Sequence, residues 1–113
     1  MNTNEEIFIL DSNTKWQETD NGVERKICGY NNNLMMVKVH FDKGSVGTLH
    51  KHRHSQATYV AKGKFEVQIG REKKIVSEGD SFYVPPDVEH GVISLEEGLL
   101  IDAFNPKRDE FLA

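Results

Sequence analysis

The chain has 113 residues, enough for one domain with a sizeable core, and its 37% hydrophobic and 28% charged residues are typical of a globular protein. A formal net charge of −4, with Lys and Arg interspersed among Asp and Glu, argues against nucleic acid as a partner. No apolar run approaches the ~20 residues of a membrane span, and the first residues lack the basic start of a secretory signal. Because Cys28 is the single cysteine, no internal disulfide can form, and we expect a cytoplasmic protein without a membrane partner.

We expect a single domain over 1–113, with an N-terminal segment (1–22) ahead of a barrel (23–113). The segment contains a short apolar run, Ile7 to Leu10, which could be a strand that pairs with another element or with a second subunit. Residues 11–22 are polar, and Asn21 and Gly22 indicate a turn.

The rest of the chain alternates short apolar runs with Gly- and Asn-containing turns. In the run from Leu34 to Phe41, for example, Met35, Val37 and Val39 share one face of an extended strand. The predicted strands are 23–30, 34–41, 58–61, 65–69, 81–84, 90–95 and 99–104, with another beginning at 75. Since no helix of normal length is apparent, the pattern predicts an all-β fold of antiparallel strands, a sandwich or a barrel.

Three histidines, His50, His52 and His54, stand at every second residue. Alternate residues of an extended strand share a face, so His50 and His52 can aim two imidazoles at one divalent metal ion. Gln56 offers a neutral amide oxygen, and His90, far along the chain, is the obvious fourth donor. The alternative is a surface strand that happens to be rich in His, Lys and Arg.

Two segments resemble the two sequence motifs of the cupin family. GTLHKHRHSQATYVAKGKF (47–65) is similar to the first motif, in which H-x-H precedes an acidic or amide ligand by a few residues. GDSFYVPPDVEHGV (79–92) is similar to the second, although Asp87 stands where the wider motif usually has Gly, and Gln56 where most cupins have Glu. The resemblance implies a single-domain jelly-roll barrel.

The same motif implies which histidines bind metal. If the pair were His52 and His54, the next ligand would fall near Thr58 or Tyr59, and neither is a plausible donor. We therefore predict a metal site of His50, His52, Gln56 and His90. His54 would then support this site or line the cleft. Because His54 has the same strand parity as His50 and His52, parity alone does not exclude it as an alternative ligand.

A closer resemblance extends over 23–112. The patterns H-x-H-x-H-x-Q-x-x-Y-V, V-P-P-x-V-x-H-G and L-I-D-A-F-N-P-K-R-D-E-F-L resemble the pectin-degradation cupins of the KdgF type. Members of that family ketonise the 4,5-unsaturated uronates released by polysaccharide lyases, so that the ring opens to a linear 5-keto sugar acid. The resemblance implies this activity and a sugar-acid substrate.

Three residues of the last segment suit that chemistry. Asp102 and Phe104 have the same parity on the last strand, so both can face the interior, where Asp102 could act as general acid or base. Arg108 offers a fork of donors for a substrate carboxylate, and Phe104 could pack against the sugar ring. The alternatives are a buried structural Asp102, a surface salt bridge at Arg108 and a core Phe104. Tyr59 is expected to line the barrel.

The predicted donors suit one divalent transition metal ion, nickel, zinc, iron or manganese. Two other functions remain open: a non-haem iron dioxygenase, for which Gln56 lacks the usual negative charge, and a sugar-binding module without turnover. We also expect a homodimer, because a small sandwich has edge strands that need covering.

Overall fold

The computed structural model describes residues 6–113, so the start of the predicted N-terminal segment lies outside the described residues. Ten strands follow in chain order: β1 (Gln17–Asp20), β2 (Val23–Tyr30), β3 (Met35–Phe41), β4 (Val46–His50), β5 (Ser55–Lys62), β6 (Lys64–Ile69), β7 (Glu72–Ser77), β8 (Ser81–Val84), β9 (His90–Ser94) and β10 (Gly98–Asn105). In the described range the helices are two single 3-10 turns, Asp11–Asn13 and Asp109–Phe111. None of these described helices is long and apolar enough to cross a membrane.

The strands form two sheets in which every pairing is antiparallel. One sheet has six strands in the order β1-β2-β3-β10-β5-β8, and the other has four in the order β4-β9-β6-β7. The two layers pack as a jelly-roll sandwich and do not close into a complete barrel. The all-β antiparallel fold predicted from the alternation is therefore confirmed.

The core lies between the two sheets, where the inward faces of the strands meet. One cluster joins the sheets through Phe41 and Phe65, whose rings meet edge to face with centroids 5.3 Å apart. A second cluster consists of Met35, Val37 and Phe104. Because burial follows the alternate positions of β3 and β10, the predicted inward faces of these strands are confirmed.

The N-terminal segment differs from its prediction. Ile7–Leu10 is not a strand, and most of its side chains are exposed. The first strand is β1 instead, which pairs with β2 through a turn where Gly22 adopts a φ of +77°. All four residues of β1 are exposed and polar, so no alternation marked it as a strand. Asp11 fastens the segment to the six-stranded sheet through ion pairs, each 3.0 Å, with Lys26 and Lys38.

The prediction for Tyr59 is wrong. On β5 the buried positions are Gln56, Thr58 and Val60, so the residues between them point away from the core. Tyr59 is accordingly half exposed, at 51%.

Candidate metal centre and substrate cavity

Three predicted ligands come together at one end of the four-stranded sheet. His50 is the last residue of β4 and His90 the first of β9, and the two are directly paired across these strands. The His90 ring centroid lies 4.4 Å from that of His50 and 4.8 Å from that of His52. One ring nitrogen from each of the three histidines lies within 4.8 Å of the others. This spacing suits three ligands of one metal ion.

The reason for the grouping differs from the predicted one. β4 ends at His50, so His50 and His52 do not share the face of a continuous strand. His52 lies in the connection to β5, and its carbonyl oxygen accepts a hydrogen bond of 2.7 Å from the backbone N–H of Asp87. Asp87 has a φ of +63°, a left-handed conformation that Gly adopts freely and Asp tolerates better than most residues. The Asp that departs from the wider motif therefore keeps the backbone conformation of a glycine and holds the His52 loop.

The hydrogen bonds of the histidines test whether this group fits a metal. Nδ1 of His50 lies 2.8 Å from the Thr48 carbonyl oxygen, and Nδ1 of His90 lies 3.0 Å from that of Val88. A carbonyl oxygen only accepts, so each Nδ1 carries the hydrogen and each Nε2 is left with a free lone pair. Nε2 of His90 is buried without a hydrogen-bond partner in the protein, which fits a nitrogen that binds a metal.

The electrostatics agree with a metal site. Burial and the positive charge of Arg108 lower the pKa of His52 to about 4, and burial also lowers the pKa of His90. Both rings are therefore neutral at neutral pH, which is the form that binds a metal ion. The residues fit a divalent transition metal, whose identity the donor set does not specify.

Gln56 is oriented toward the histidines. Its Oε1 lies 3.1 Å from Nε2 of His52, while its amide nitrogen donates to Oγ1 of Thr58 at 2.9 Å and lies 3.5 Å from Oδ1 of Asp102. The Thr58 hydroxyl in turn donates to Oδ1 of Asp102 at 2.6 Å. Because these acceptors hold the amide nitrogen, the amide oxygen is the atom that faces the predicted metal position.

His54 is buried but lies outside this group. Its Nε2 is 3.1 Å from the carbonyl oxygen of Lys107, and its ring centroid is 5.3 Å from that of His52. It therefore ties the loop of the histidines to the C-terminal segment that carries Arg108. This arrangement favours the supporting role over the alternative of a fourth imidazole ligand.

A cavity of about 240 Å³ opens beside the histidines, between the two sheets. The polar and aromatic residues that line it include His50, Gln56, His90, Asp102, Phe104, Arg108, Phe111 and Arg25. Among the described residues of this lining, Asp102 is the only acid. Burial raises the pKa of Asp102 to about 6, although the hydrogen bond from Thr58 and the charge of Arg108 act in the opposite direction.

The other two predicted catalytic residues also reach this cavity. Arg108 is buried, with its Nε donating to Oε1 of Glu110 at 3.0 Å, so it is not a solvent-exposed surface residue. Its guanidinium carbon lies 5.0 Å from the ring centroid of Phe104 and 4.4 Å from that of Phe111. Phe104 both packs in the core with Met35 and lines the cavity, so a core role and a position beside the substrate are compatible.

Two residues of the lining were missed in the sequence. Phe111 follows Arg108 in a 3-10 turn, and its ring meets Phe104 with centroids 5.8 Å apart. Arg25 stands on β2 between Val23 and Ile27, so a charge interrupts an apolar alternation, and this interruption is the signal that could have found it.

Comparisons with known proteins agree with the fold and the motifs. The Cupin domain family matches residues 37–102. The chain is 50% identical over 107 residues to the pectin degradation protein KdgF of Dickeya dadantii, which covers 93% of this chain and 97% of that protein. An RmlC-like cupin from Shewanella frigidimarina has a crystal structure with a TM-score of 0.92 and 43% identity, covering 95% of this chain and 96% of that one. The structure of KdgF from Halomonas sp. gives a TM-score of 0.88 and 42% identity, covering 92% and 96% respectively. The chain therefore belongs to the Cupin domain family and, within it, to the family of the pectin degradation protein KdgF.

Proposed function

We propose that this protein is an isomerase that opens the ring of 4,5-unsaturated uronates and ketonises them to linear 5-keto sugar acids. One observation carries the proposal: a buried acid with a raised pKa, Asp102, shares one cavity with a histidine group suited to a metal and with the guanidinium of Arg108. The membership of the KdgF family supports pectin and related polyuronates as the source of the substrate.

The proposed metal ligands are His50, His52, Gln56 and His90. A divalent ion held there would act as a Lewis acid toward a substrate oxygen. All four ligands are neutral, so they leave the charge of such an ion uncompensated.

Asp102 suits the proton transfers of this reaction. The carboxylate takes the proton from the anomeric hydroxyl, the bond between C1 and the ring oxygen breaks, and an aldehyde and an enolate form. The enolate then takes a proton at C4 from Asp102, which leaves the 5-keto acid and restores the carboxylate. Substrate and product are isomers, so the reaction needs no oxidant or reductant. Burial raises the pKa of Asp102 above its ordinary value, which suits a group that must both take and return a proton.

The remaining groups hold the substrate. Arg108 is buried beside the cavity and retains donors at the end of its fork, because Glu110 engages only its Nε. These donors suit the substrate carboxylate. Phe104 and Phe111 form an aromatic wall that suits the apolar face of the ring and limits the access of water.

The test is to mix the purified protein with an unsaturated monouronate generated by a lyase. We expect the absorbance of the conjugated double bond to disappear and NMR to report the linear 5-keto acid, without oxygen uptake. An unchanged substrate in the presence of metal-loaded protein contradicts the proposal. Consumption of oxygen would instead indicate the dioxygenase chemistry that other cupins perform.

We further propose that the protein is a homodimer. Ile7 and Phe8 are 77% and 80% exposed, and a cleft of about 540 Å³ beside them is lined partly by Ile9, Tyr30 and Leu112. Exposed apolar side chains such as those of Ile7 and Phe8 are typical of a protein interface, although the cleft itself is also lined by polar residues. Among residues 6–113, the strand β1 also has no strand paired to its outer edge in the six-stranded sheet.

Light scattering at micromolar concentration tests this assembly. We expect twice the mass of the chain, and a shift toward the monomer for Phe8→Glu, since a charge at an apolar interface is costly. A monomer mass for the parent protein contradicts the dimer.

A further inference from the structure

Arg25 occupies a position that would ordinarily hold an apolar residue. It lies on β2 directly opposite Val39 of β3, and its neighbours on the same face of β2 are Val23 and Ile27. Val23 belongs to the main core cluster, and Val39 packs against it. A charge on the inward face of a sheet is costly unless a partner compensates it. The position therefore calls for an explanation beyond packing.

The protein compensates this charge only in part. The negative charge of Glu110 acts against the lowering of the Arg25 pKa, but the ion pair of Glu110 is with Arg108. Within residues 6–113, Arg25 forms no ion pair within 4.0 Å, and its one hydrogen bond runs from Nε to Oε1 of Gln17 at the outer limit of 3.5 Å. Its guanidinium carbon lies 3.8 Å from the ring centroid of Phe111, an aromatic face that orients a guanidinium without using its donors. The terminal nitrogens of the Arg25 guanidinium therefore remain available to a ligand in the cavity that Arg25 lines.

Arg25 and Arg108 share the same aromatic ring. Their guanidinium carbons lie 3.8 Å and 4.4 Å from the centroid of Phe111, and both residues line the same cavity. The nearby positive charge of Arg108 adds to burial in lowering the pKa of Arg25, which reflects the same proximity. Asp102 is the one acid in the described lining of the cavity, and Glu110, outside this lining, pairs with the Nε of Arg108. The terminal nitrogens of both guanidinium groups therefore remain for an anionic ligand.

We infer that Arg25 is a substrate-contacting residue that determines specificity, and that it binds the carboxylate of the sugar acid jointly with Arg108. The inference rests on the proposed function for the identity of the sugar acid, but its chemistry, recognition of a carboxylate by two guanidinium groups, can be tested without turnover. Arg25 holds the substrate in its ground state and its transition state alike, while proton transfer remains with Asp102.

The test compares two stable sugars that differ at one group, galacturonate and galactose, by calorimetric titration of the protein with its metal. We expect the parent to bind galacturonate more tightly. Arg25→Gln should lower the affinity for galacturonate by about 10- to 100-fold, the usual effect of removing a hydrogen bond to a charged group, and leave the affinity for galactose unchanged. With unsaturated uronate, the same variant should raise KM and keep kcat close to that of the parent.

Two controls separate recognition from structure. Arg71→Gln removes the same charge from the exposed turn between β6 and β7, outside the cavity lining, and should change neither affinity. Arg25→Lys keeps the charge without the planar fork, so it should retain part of the galacturonate affinity even if Arg25→Gln folds poorly.

The inference is overturned if the parent binds the two sugars equally or binds neither, or if Arg25→Gln weakens both by the same factor. The last result would mean that Arg25 only shapes the wall of the cavity. If the parent leaves unsaturated uronate untouched while Arg25→Gln still loses galacturonate selectively, the proposed function fails and the inference about Arg25 stands.

Discussion

Replacing Asp102 by Asn separates its chemical role from its structural one. Asn has nearly the same shape, and its Oδ1 can still accept the hydrogen bond that Thr58 donates to Asp102 at 2.6 Å. It has no titratable proton, so it cannot take a proton from the substrate and return it. General acid–base groups typically contribute ~10²–10⁴-fold in rate, and we expect turnover of unsaturated uronate to fall by about this factor while metal content stays normal.

The same substitution should stabilise the fold. Burial raises the pKa of Asp102 from its ordinary 3.8 to about 6, so the folded protein holds a proton between these values that the unfolded chain has already lost. Stability therefore falls as pH rises from about 4 to about 6, and above that range the ionised group costs about 3 kcal/mol. Asn avoids this cost, so Asp102→Asn should be more stable than the parent by about that amount at pH 8 and by little below pH 4.

Urea unfolding of the metal-free parent and variant across this pH range measures the difference. Metal-free protein is the appropriate form, because a bound cation would itself lower the pKa of Asp102. A stability difference that does not change between pH 4 and pH 8 would refute the electrostatic reasoning. Turnover by Asp102→Asn at the parent rate would show that Asp102 is structural and that another group transfers the proton.

Other substitutions test the rest of the site. His50→Ala combined with His52→Ala removes two imidazoles, and elemental analysis of protein purified without chelator should find it nearly free of metal; full occupancy would disprove the ligand assignment. Arg108→Ala should raise KM by about 10- to 100-fold with a smaller change in kcat, because its proposed role is to hold the carboxylate throughout the reaction; steady-state kinetics would reveal the opposite pattern if Arg108 served only the transition state. Asp87→Val should lower the free energy of unfolding by about 1–2 kcal/mol and reduce metal content, since a β-branched residue fits poorly at φ +63° beside the His52 loop. Asp87→Gly should retain the metal, and equal metal loss in both variants would mean that the Asp87 side chain, not the backbone, supports the loop.

Much of the site was predictable because its signals are local or follow a known motif. Asp102 and Phe104 were expected inside from their parity on one strand, and both are buried. The spacing of His50, His52 and Gln56 relative to the cupin motif indicated the residues that the structure brings close to one another. Arg25, like Asp102, is a charged residue on an otherwise apolar strand face, but it lies outside the family motifs.

Alternation along the chain determined the all-β class and the inward faces of β3, β6 and β10, because neighbouring side chains of a strand must point to opposite sides. Other features depended on contacts between distant parts of the chain. The polar strand β1 exists because β2 offers it an edge. His52 approaches His50 and His90 through a loop that the Asp87 backbone holds. Thr58 sets the direction of the Gln56 amide, and Phe111 lies against the guanidinium groups of both Arg25 and Arg108. These arrangements involve residues far apart in sequence, and only the packing of the two sheets and the C-terminal segment decides which of them meet.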